Sequence, residues 1–113
     1  MTSIAMLFAA IVAVESGGNC YAVGDNGKAV GAAQIWEVVV KDCNQISKKQ
    51  HFTLNDRYSI QKSMEMFVIY TDHYGKRYGC TPEVRAKIWN GGPGGMTSPK
   101  TAKYWQKVKS KLK

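Results

Sequence analysis

The sequence predicts a single α+β domain that is mainly α-helical and carries a short β-hairpin lobe. Apolar residues recur at intervals of three and four in several segments, which is the period of a helix with one buried face. One glycine-rich segment instead alternates and contains a tight-turn sequence. The chain has 113 residues, 44% of them hydrophobic and 21% charged. This is enough for one packed core, so we predict one domain over residues 1–113 and exclude a multidomain enzyme.

The first predicted helix lies in the apolar run from Ile4 to Val14. Ile4, Phe8 and Ile11 form one stripe at helical spacing. The next step of four residues reaches Glu15, so an acidic residue ends an apolar face. The run is too short to span a bilayer and no Lys or Arg precedes it, so we interpret it as a buried helix and not as a signal peptide.

Three further elements follow in the middle of the chain. Between Cys20 and Trp36 the residues are small and partly alternating, and Asp25-Asn26-Gly27 supplies the backbone freedom that a hairpin turn needs. A second helix is predicted from residue 37 to about residue 49. Asn55 is expected to cap a longer third helix. The apolar stripe predicted for this helix consists of Ile60, Met64, Phe67, Thr71, Tyr74 and Tyr78.

Two more helices are predicted near the end of the chain. Thr81-Pro82-Glu83 combines a cap, a proline in the first turn and an early acid, so we expect a helix from there to about Trp89. Asn90 and a glycine-rich loop at 91–95 should end it. Ser98-Pro99 begins a last helix by the same signals. Its inward stripe is predicted to be Trp105, Val108 and Leu112.

The charge balance predicts anionic partners. Sixteen Lys and Arg against eight Asp and Glu give a formal charge of +8, which attracts nucleic acid, anionic lipid or bacterial wall polymer alike. Part of this charge lies in a C-terminal run of lysines with no acid among them. The lysines of this basic tail are Lys100, Lys103, Lys107, Lys109, Lys111 and Lys113.

Cysteine and histidine spacing gives no sign of a metal or cofactor site. Cys20, Cys43 and Cys80 are widely spaced and odd in number, so we expect reduced thiols and no zinc site, although one bridge with one free thiol is an alternative. His51 and His73 have no partner at ligand spacing, which favours surface or packing roles. We predict no metal and no cofactor.

Glu15 is the residue with the strongest expected chemistry. Gly17 and Gly18 should end the first helix, which places Glu15 in the last turn, where unpaired carbonyls and the negative end of the helix dipole oppose a carboxylate. Burial on the apolar stripe also disfavours the charged form. The pKa of Glu15 should therefore be raised, so that the group can act as a general acid. The alternative is a helix-end Glu turned out to solvent.

Four ordered segments resemble the lysozyme superfamily. They are 14–19 (Val-Glu-Ser-Gly-Gly-Asn), 31–35 (Gly-Ala-Ala-Gln-Ile), 88–94 (Ile-Trp-Asn-Gly-Gly-Pro-Gly), and Thr101 with Tyr104 and Val108. The first two are similar to soluble lytic transglycosylases and many phage wall-degrading enzymes, and the last two to invertebrate-type lysozymes. The resemblance covers roughly half of the chain and implies a small lysozyme-like domain that cleaves peptidoglycan.

The resemblance also implies roles for individual residues. Glu15 matches the catalytic acid, as in hen-type lysozymes, where an acid in a hydrophobic pocket protonates the glycosidic oxygen. Ser16 matches a polar partner near the bound sugar. Gln34, Asn90 and Tyr104 match positions that face the substrate. From the residues alone, each of these four has an ordinary structural reading that is equally good. Ser16 and Asn90 are typical helix-end residues, Gln34 could be an ordinary strand residue, and Tyr104 could be a half-buried aromatic.

The second carboxylate of a hydrolase is less clearly marked. Asp25 is the first candidate, because invertebrate-type lysozymes carry their second acid in the hairpin region, but Asp-Asn-Gly is also an ordinary turn sequence. Glu37 is the fallback. Lytic transglycosylases need no second carboxylate, because the N-acetyl group and the 6-hydroxyl of the substrate complete the reaction. Hydrolysis and transglycosylation both stay open at this point.

The resemblance therefore predicts a muramidase that breaks the β-1,4 bond between N-acetylmuramic acid and N-acetylglucosamine. We expect a monomeric phage endolysin or virion-associated lysin, made in the host cytoplasm and acting at the bacterial cell wall. One alternative is a non-catalytic basic module of the same fold that binds cell wall or membrane. Nucleic-acid binding depends on charge alone and has no recognised motif, so we expect no specific nucleic-acid partner.

Overall fold

The structure is a computed structural model that describes residues 2–49 and 51–112. Within this range five α-helices accompany one small antiparallel sheet, which confirms the predicted α+β fold class, mainly helical with a hairpin lobe. The elements are α1 (Ile4–Ser16), β1 (Val23–Gly24), β2 (Ala29–Val30), α2 (Glu37–Ser47), α3 (Ile60–Gly75), α4 (Pro82–Gly91) and α5 (Pro99–Ser110). Tight 3₁₀ turns lie at Asp25–Gly27, Leu54–Tyr58, Lys76–Tyr78 and Gly92–Thr97.

The core is organised around α3. Phe67 of this helix is fully buried and its ring centre lies 5.4 Å from that of Phe8 in α1 and 5.3 Å from that of Trp89 in α4. Such tilted and edge-on aromatic pairs pack closely and bury large apolar areas. This arrangement fixes the relative positions of α1, α3 and α4, which carry or support the candidate site.

Helix α1 forms as predicted. The Ser3 side chain accepts a hydrogen bond from the Met6 amide at 3.1 Å and caps the helix start. Gly17 ends the helix in the left-handed conformation with φ 66°, which glycine adopts without the strain that a side chain would impose. Phe8 and Ile11 are buried. The apolar run is therefore a buried helix that delivers Glu15 to its C-terminal end.

The predicted start and end of α3 were wrong. The helix begins at Ile60 and is capped by Ser59, not by Asn55. Residues 54–58 form a separate 3₁₀ turn, which Thr53 and Asp56 cap through reciprocal hydrogen bonds. Asn55 lies inside this turn and therefore does not cap α3. At the other end, Tyr78 lies in the turn after α3. Ile60 and Tyr78 are exposed, because the two ends of the predicted stripe lie beyond the part of α3 that the core covers.

The predicted inward stripe of α5 was right at Val108, which is fully buried, and differs at its other two positions. Thr101, Tyr104 and Val108 are buried, whereas Trp105 and Leu112 are only partly covered. The reason is a close approach between α5 and the end of α4: a Cβ on Gly91 would lie 2.6 Å from Thr101 Cγ2. This contact turns the face that contains Thr101 inward.

Other helix ends differ by about two residues from the predictions. Helix α2 ends at Ser47, because Lys48 takes a left-handed conformation with φ 60°. Helix α4 begins after the Thr81 cap as predicted but extends to Gly91, so Asn90 lies inside it. The glycine-rich segment that follows is a 3₁₀ turn. Boundaries of this kind depend on tertiary packing as well as on local signals.

The hairpin lobe confirms the predicted turn. Val23 pairs with Val30 and Gly24 with Ala29, and the connecting 3₁₀ turn contains Asp25 and Asn26 with φ of 50° and 58°. After β2, Gly31 is required, because a Cβ there would lie 1.9 Å from the carbonyl oxygen of Arg57.

Cys20, Cys43 and Cys80 are free thiols. Across residues 2–49 and 51–112, no helix has the length and apolar character needed to cross a membrane. Over the same ranges, no group of three or more His, Cys, Asp or Glu side chains is arranged to hold a metal ion.

Candidate active site

Glu15 lies in the last turn of α1 and is half-buried. Its Oε2 accepts a hydrogen bond from the Tyr104 hydroxyl at 2.8 Å. Burial raises the pKa of Glu15, the Tyr104 hydrogen bond opposes this shift, and the negative charge of Asp25 adds to it. The net direction is upward, so this carboxyl group holds its proton more strongly than a free glutamate does.

Tyr104 reaches Glu15 from the buried face of α5. Only 8% of its surface is exposed. Burial and the nearby charge of Glu15 raise the pKa of the Tyr104 phenol. The phenol therefore stays protonated and can serve as a hydrogen-bond donor to the carboxylate when Glu15 has lost its proton.

Ser16 connects the end of α1 to the hairpin lobe. Its hydroxyl donates to the Ala32 carbonyl oxygen at 2.7 Å and accepts from the Gly18 amide at 3.2 Å. The single hydroxyl proton is thus used inside the protein. In the structure Ser16 holds the lobe against the helix end that carries Glu15, and its predicted contact with sugar stays a prediction.

Gln34 lies in the lobe with a left-handed backbone, φ 53°. Its amide nitrogen donates to the carbonyl oxygens of Gly31 at 3.0 Å and Ala22 at 3.3 Å. Its amide oxygen occupies the space beside Gly24, where a Cβ would lie only 2.4 Å away from it. Both amide hydrogens therefore stabilise the lobe, and only the oxygen has capacity for another partner.

Asn90 has an exposed side chain at the end of α4. This side chain makes no hydrogen bond to any residue that the structure describes. The glycine-rich turn that follows packs closely on its surroundings, since a Cβ on Gly95 would lie 2.2 Å from the Lys87 carbonyl oxygen. The polar side chain of Asn90 is thus presented from a firmly held backbone.

The two candidates for a second carboxylate differ in their surroundings. Asp25 is exposed on the hairpin turn and acts on Glu15 through its charge, without a direct hydrogen bond between the two. Glu37 is exposed in the first turn of α2 and forms an ion pair with Lys41 at 3.0 Å. Of the two, Asp25 is the one with an electrostatic effect on Glu15.

Two supporting contacts were not predicted from the sequence. The Trp89 indole nitrogen donates to the Ala33 carbonyl oxygen at 3.4 Å, and Arg57 donates to the Ile35 carbonyl oxygen at 3.2 Å. Both attach the hairpin lobe to the helical body beside Gln34. The Trp89 contact joins residues 56 positions apart, and no local pattern signals such a pair.

Comparison with known proteins agrees with this architecture. The family model of the transglycosylase SLT domain matches residues 2–111, which is nearly the whole chain. No curated protein and no solved structure gave a significant match. The family match confirms the lysozyme-like fold that the four motifs indicate. The chain belongs to the transglycosylase SLT domain family and is a peptidoglycan-acting enzyme of the lytic transglycosylase or lysozyme-like kind.

Proposed function

We propose that Glu15 is the general acid of this enzyme. We also propose that the enzyme cleaves the bond between N-acetylmuramic acid and N-acetylglucosamine by lytic transglycosylation. The observation that carries the proposal is the environment of Glu15: it is half-buried, its pKa is raised, and the Tyr104 hydroxyl donates to it at 2.8 Å. A group of this kind holds a proton until a substrate oxygen accepts it.

In the first step protonated Glu15 donates its proton to the glycosidic oxygen, and the bond from that oxygen to C1 of muramic acid breaks. The sugar passes through an oxocarbenium-like state, which its own N-acetyl group stabilises. Glu15 is now a carboxylate, and the Tyr104 hydrogen bond favours this charged form. One side chain is thus supported in both of its protonation states.

In the second step the C6 hydroxyl of the same muramic acid attacks C1, and Glu15 accepts the hydroxyl proton. The products are a glycan with a new hydroxyl end and a 1,6-anhydromuramic end. The proton first given to the leaving oxygen is replaced by the one from the C6 hydroxyl, so Glu15 is ready for another cycle. This reaction consumes no water and requires no second carboxylate.

Hydrolysis is a second candidate reaction. The observation that favours it is the electrostatic effect of Asp25 on Glu15. The negative charge of Asp25 acts on Glu15, so it also acts on positive charge that develops at the bond being broken. As the second carboxylate it would stabilise that charge or activate a water molecule. Exposure of Asp25 on a turn argues for the weaker, electrostatic role.

Mass spectrometry of digested, purified peptidoglycan tests both proposals together. Anhydromuramic ends indicate transglycosylation and reducing muramic ends indicate hydrolysis. A Glu15→Gln variant should release no soluble fragments, while a Glu83→Gln variant, which removes an exposed carboxylate in the first turn of α4, should release them normally. Wall binding without release by the native chain would instead favour a non-catalytic module.

We also propose a setting for this activity. The +8 charge and the basic tail favour contact with anionic wall polymer or membrane at the bacterial cell wall. A monomeric phage lysin made in the host cytoplasm fits the motifs shared with phage wall-degrading enzymes. Binding to purified walls should then weaken steeply with salt, whereas binding to duplex DNA should show no sequence preference.

A further inference from the structure

Helix α5 is tied to the rest of the protein by two directional contacts. Among the side-chain hydrogen bonds that this helix makes in the described part of the chain, only two reach beyond the helix and its cap. The Tyr104 hydroxyl donates to Glu15 at 2.8 Å, and the Thr101 hydroxyl donates to the Gly95 carbonyl oxygen. Over the same residues, α5 forms no ion pair with another element. Apart from apolar packing, these two bonds are what restrains the position of α5.

Both branches of the Thr101 side chain are in contact with the end of α4 and the turn after it. The residue is fully buried. Its methyl group approaches α4 so closely that a Cβ on Gly91 would lie 2.6 Å from it. Its hydroxyl proton is shared between the carbonyl oxygens of Gly95 and Ser98, the second at 2.8 Å. Thr101 therefore cannot turn or slide without losing one of these contacts.

The acceptor of the Thr101 hydrogen bond is itself fixed to α4. Gly95 is buried, and a Cβ at this position would lie 2.2 Å from the Lys87 carbonyl oxygen. The glycine-rich turn thus lies directly on the backbone of α4, where a side chain does not fit. Helix α4 is held to α3 by the edge-on contact between Trp89 and Phe67 at 5.3 Å. The Thr101 hydroxyl therefore connects α5 to the aromatic core.

The position of Thr101 affects that of Tyr104. The two residues are three positions apart on the buried face of α5, which is about one helical turn. A shift or rotation of the first turn of α5 therefore moves the Tyr104 ring as well. The hydrogen bond to Glu15 is sensitive to such movement, since it weakens with distance and angle. Val108, one turn further on, is fully buried, but apolar contact is not directional and tolerates small shifts.

We propose that Thr101 is a positioning residue of the active site: its hydroxyl, bonded to the glycine-rich turn, keeps Tyr104 within hydrogen-bond distance of Glu15. The inference rests on the proposed function, in which Glu15 acts first as an acid and then as a base. Thr101 makes no hydrogen bond to Glu15 and acts through Tyr104. It determines how well the carboxylate form of Glu15 is supported after proton transfer.

The test removes the hydroxyl of Thr101 and keeps its shape. Thr101→Val replaces the hydroxyl by a methyl group, and the Gly95 carbonyl oxygen keeps a donor because the Ser98 amide lies 3.3 Å from it. Thr101→Ser retains the hydroxyl and is the conservative rescue. The matched control is Thr71→Val. Thr71 is also fully buried, and its hydroxyl donates within α3 and makes no hydrogen bond to α5, so this control reports the effect of lost stability alone.

Carbon magnetic resonance of the Glu15 carboxyl group gives its titration midpoint in each folded variant. Since the Tyr104 hydrogen bond lowers the pKa of Glu15, Thr101→Val should raise the midpoint by about half a pH unit, which is part of the effect of losing a charge-assisted bond. Thr101→Ser and Thr71→Val should keep the native midpoint. In a Tyr104→Phe background, Thr101→Val should cause no further rise, because the bond through which it acts is gone. Asp25, the charged group that also raises the pKa of Glu15, is unchanged in every variant.

Three results would overturn the proposal: equal shifts from Thr101→Val in the two backgrounds, an unchanged midpoint in the native background, or a serine variant that shifts as far as the valine variant. If the valine variant does not fold, Thr101→Ala carries the same expectation, since it only removes atoms and alanine has the highest helix propensity. These titrations require no cleavage of peptidoglycan. The expected shifts in a chain whose Glu15→Gln variant still releases glycan would support the positioning of Tyr104 and contradict the proposed function only.

Discussion

The two carboxyl groups at the candidate site occupy opposite kinds of environment. Glu15 lies at the end of a buried helix, half-covered, with a phenol donor at 2.8 Å. Asp25 lies on an exposed hairpin turn with φ 50° and affects Glu15 through its charge. The helix end removes water from a carboxyl group, whereas the turn leaves the other in solvent.

This difference indicates a division of roles. A general acid must hold a proton and release it at the right atom, which desolvation favours. A carboxylate in water stays hydrated and contributes mainly an electrostatic field, which falls with distance and salt. Under the proposed mechanism, Glu15 therefore transfers the proton and Asp25 contributes a modest negative field, as expected for chemistry with a single essential acid.

The largest expected effect is at the helix end. Glu15→Gln keeps the shape and the acceptor for Tyr104 but removes the proton donor, so release of soluble glycan should fall by about a thousandfold. Turbidity clearing of peptidoglycan measures this fall, with Glu83→Gln as the matched control and circular dichroism as the check of folding. Activity within tenfold of the native chain would end the assignment.

The next largest effect is expected on stability, from a substitution where the hairpin lobe packs against the 3₁₀ turn at 54–58. Gly31→Ala places a Cβ 1.9 Å from the Arg57 carbonyl oxygen at φ +88°, so we expect a loss of about 3 kcal/mol or more in the free energy of unfolding. Gly27→Ala is the control, since it has the similar φ of +89° but open space around it, and should lose only about 1 kcal/mol. Equal losses in chemical denaturation would show that the close approach is unimportant.

A smaller effect is expected from Tyr104→Phe. Because the Tyr104 hydrogen bond lowers the pKa of Glu15, its removal should raise that pKa further. The acid form then persists to higher pH, so the alkaline limb of kcat/KM should move upward, while the maximum rate falls by roughly tenfold through loss of a charge-assisted bond. The pH–rate profile measures both, and an alkaline limb that moves downward would contradict the assigned direction.

The smallest effect should come from Asp25→Asn. The charge of Asp25 raises the pKa of Glu15, so its removal should lower that pKa and move the alkaline limb of the pH–rate profile downward. Maximum activity should stay within a few-fold of native, since an exposed charge contributes little. A loss as large as that of Glu15→Gln would identify Asp25 as a second essential carboxylate and would favour hydrolysis.

Local sequence signals predicted the elements that present Glu15, and the reasons are physical. Ser3 and Gly17 cap and end α1, Thr81 and Pro82 start α4, and Asp25 begins a turn sequence. Each of these signals acts within a few residues. The helix, the hairpin and the place of Glu15 at a helix end could therefore be predicted from the amino-acid sequence alone.

What the sequence could not supply depends on contacts between distant segments. Tyr104 and Glu15 are 89 positions apart, and only the family resemblance brought them to the same site. The inward face of α5 was predicted only at Val108, because the close approach at Gly91 turns Thr101 and Tyr104 inward as well. Gln34 showed the same limit: nothing in its neighbourhood indicated that its amide would turn onto the backbone of the lobe.

The most direct test of this account is the titration of Glu15 itself, followed by carbon magnetic resonance of its carboxyl group in the folded native chain, with Glu15→Gln used to assign the signal. If Glu15 is the general acid, its titration midpoint should lie above the ordinary glutamate value of 4.5 and should be higher still in Tyr104→Phe. A midpoint at or below 4.5 in the native chain would contradict the claim that this helix end holds a proton for catalysis.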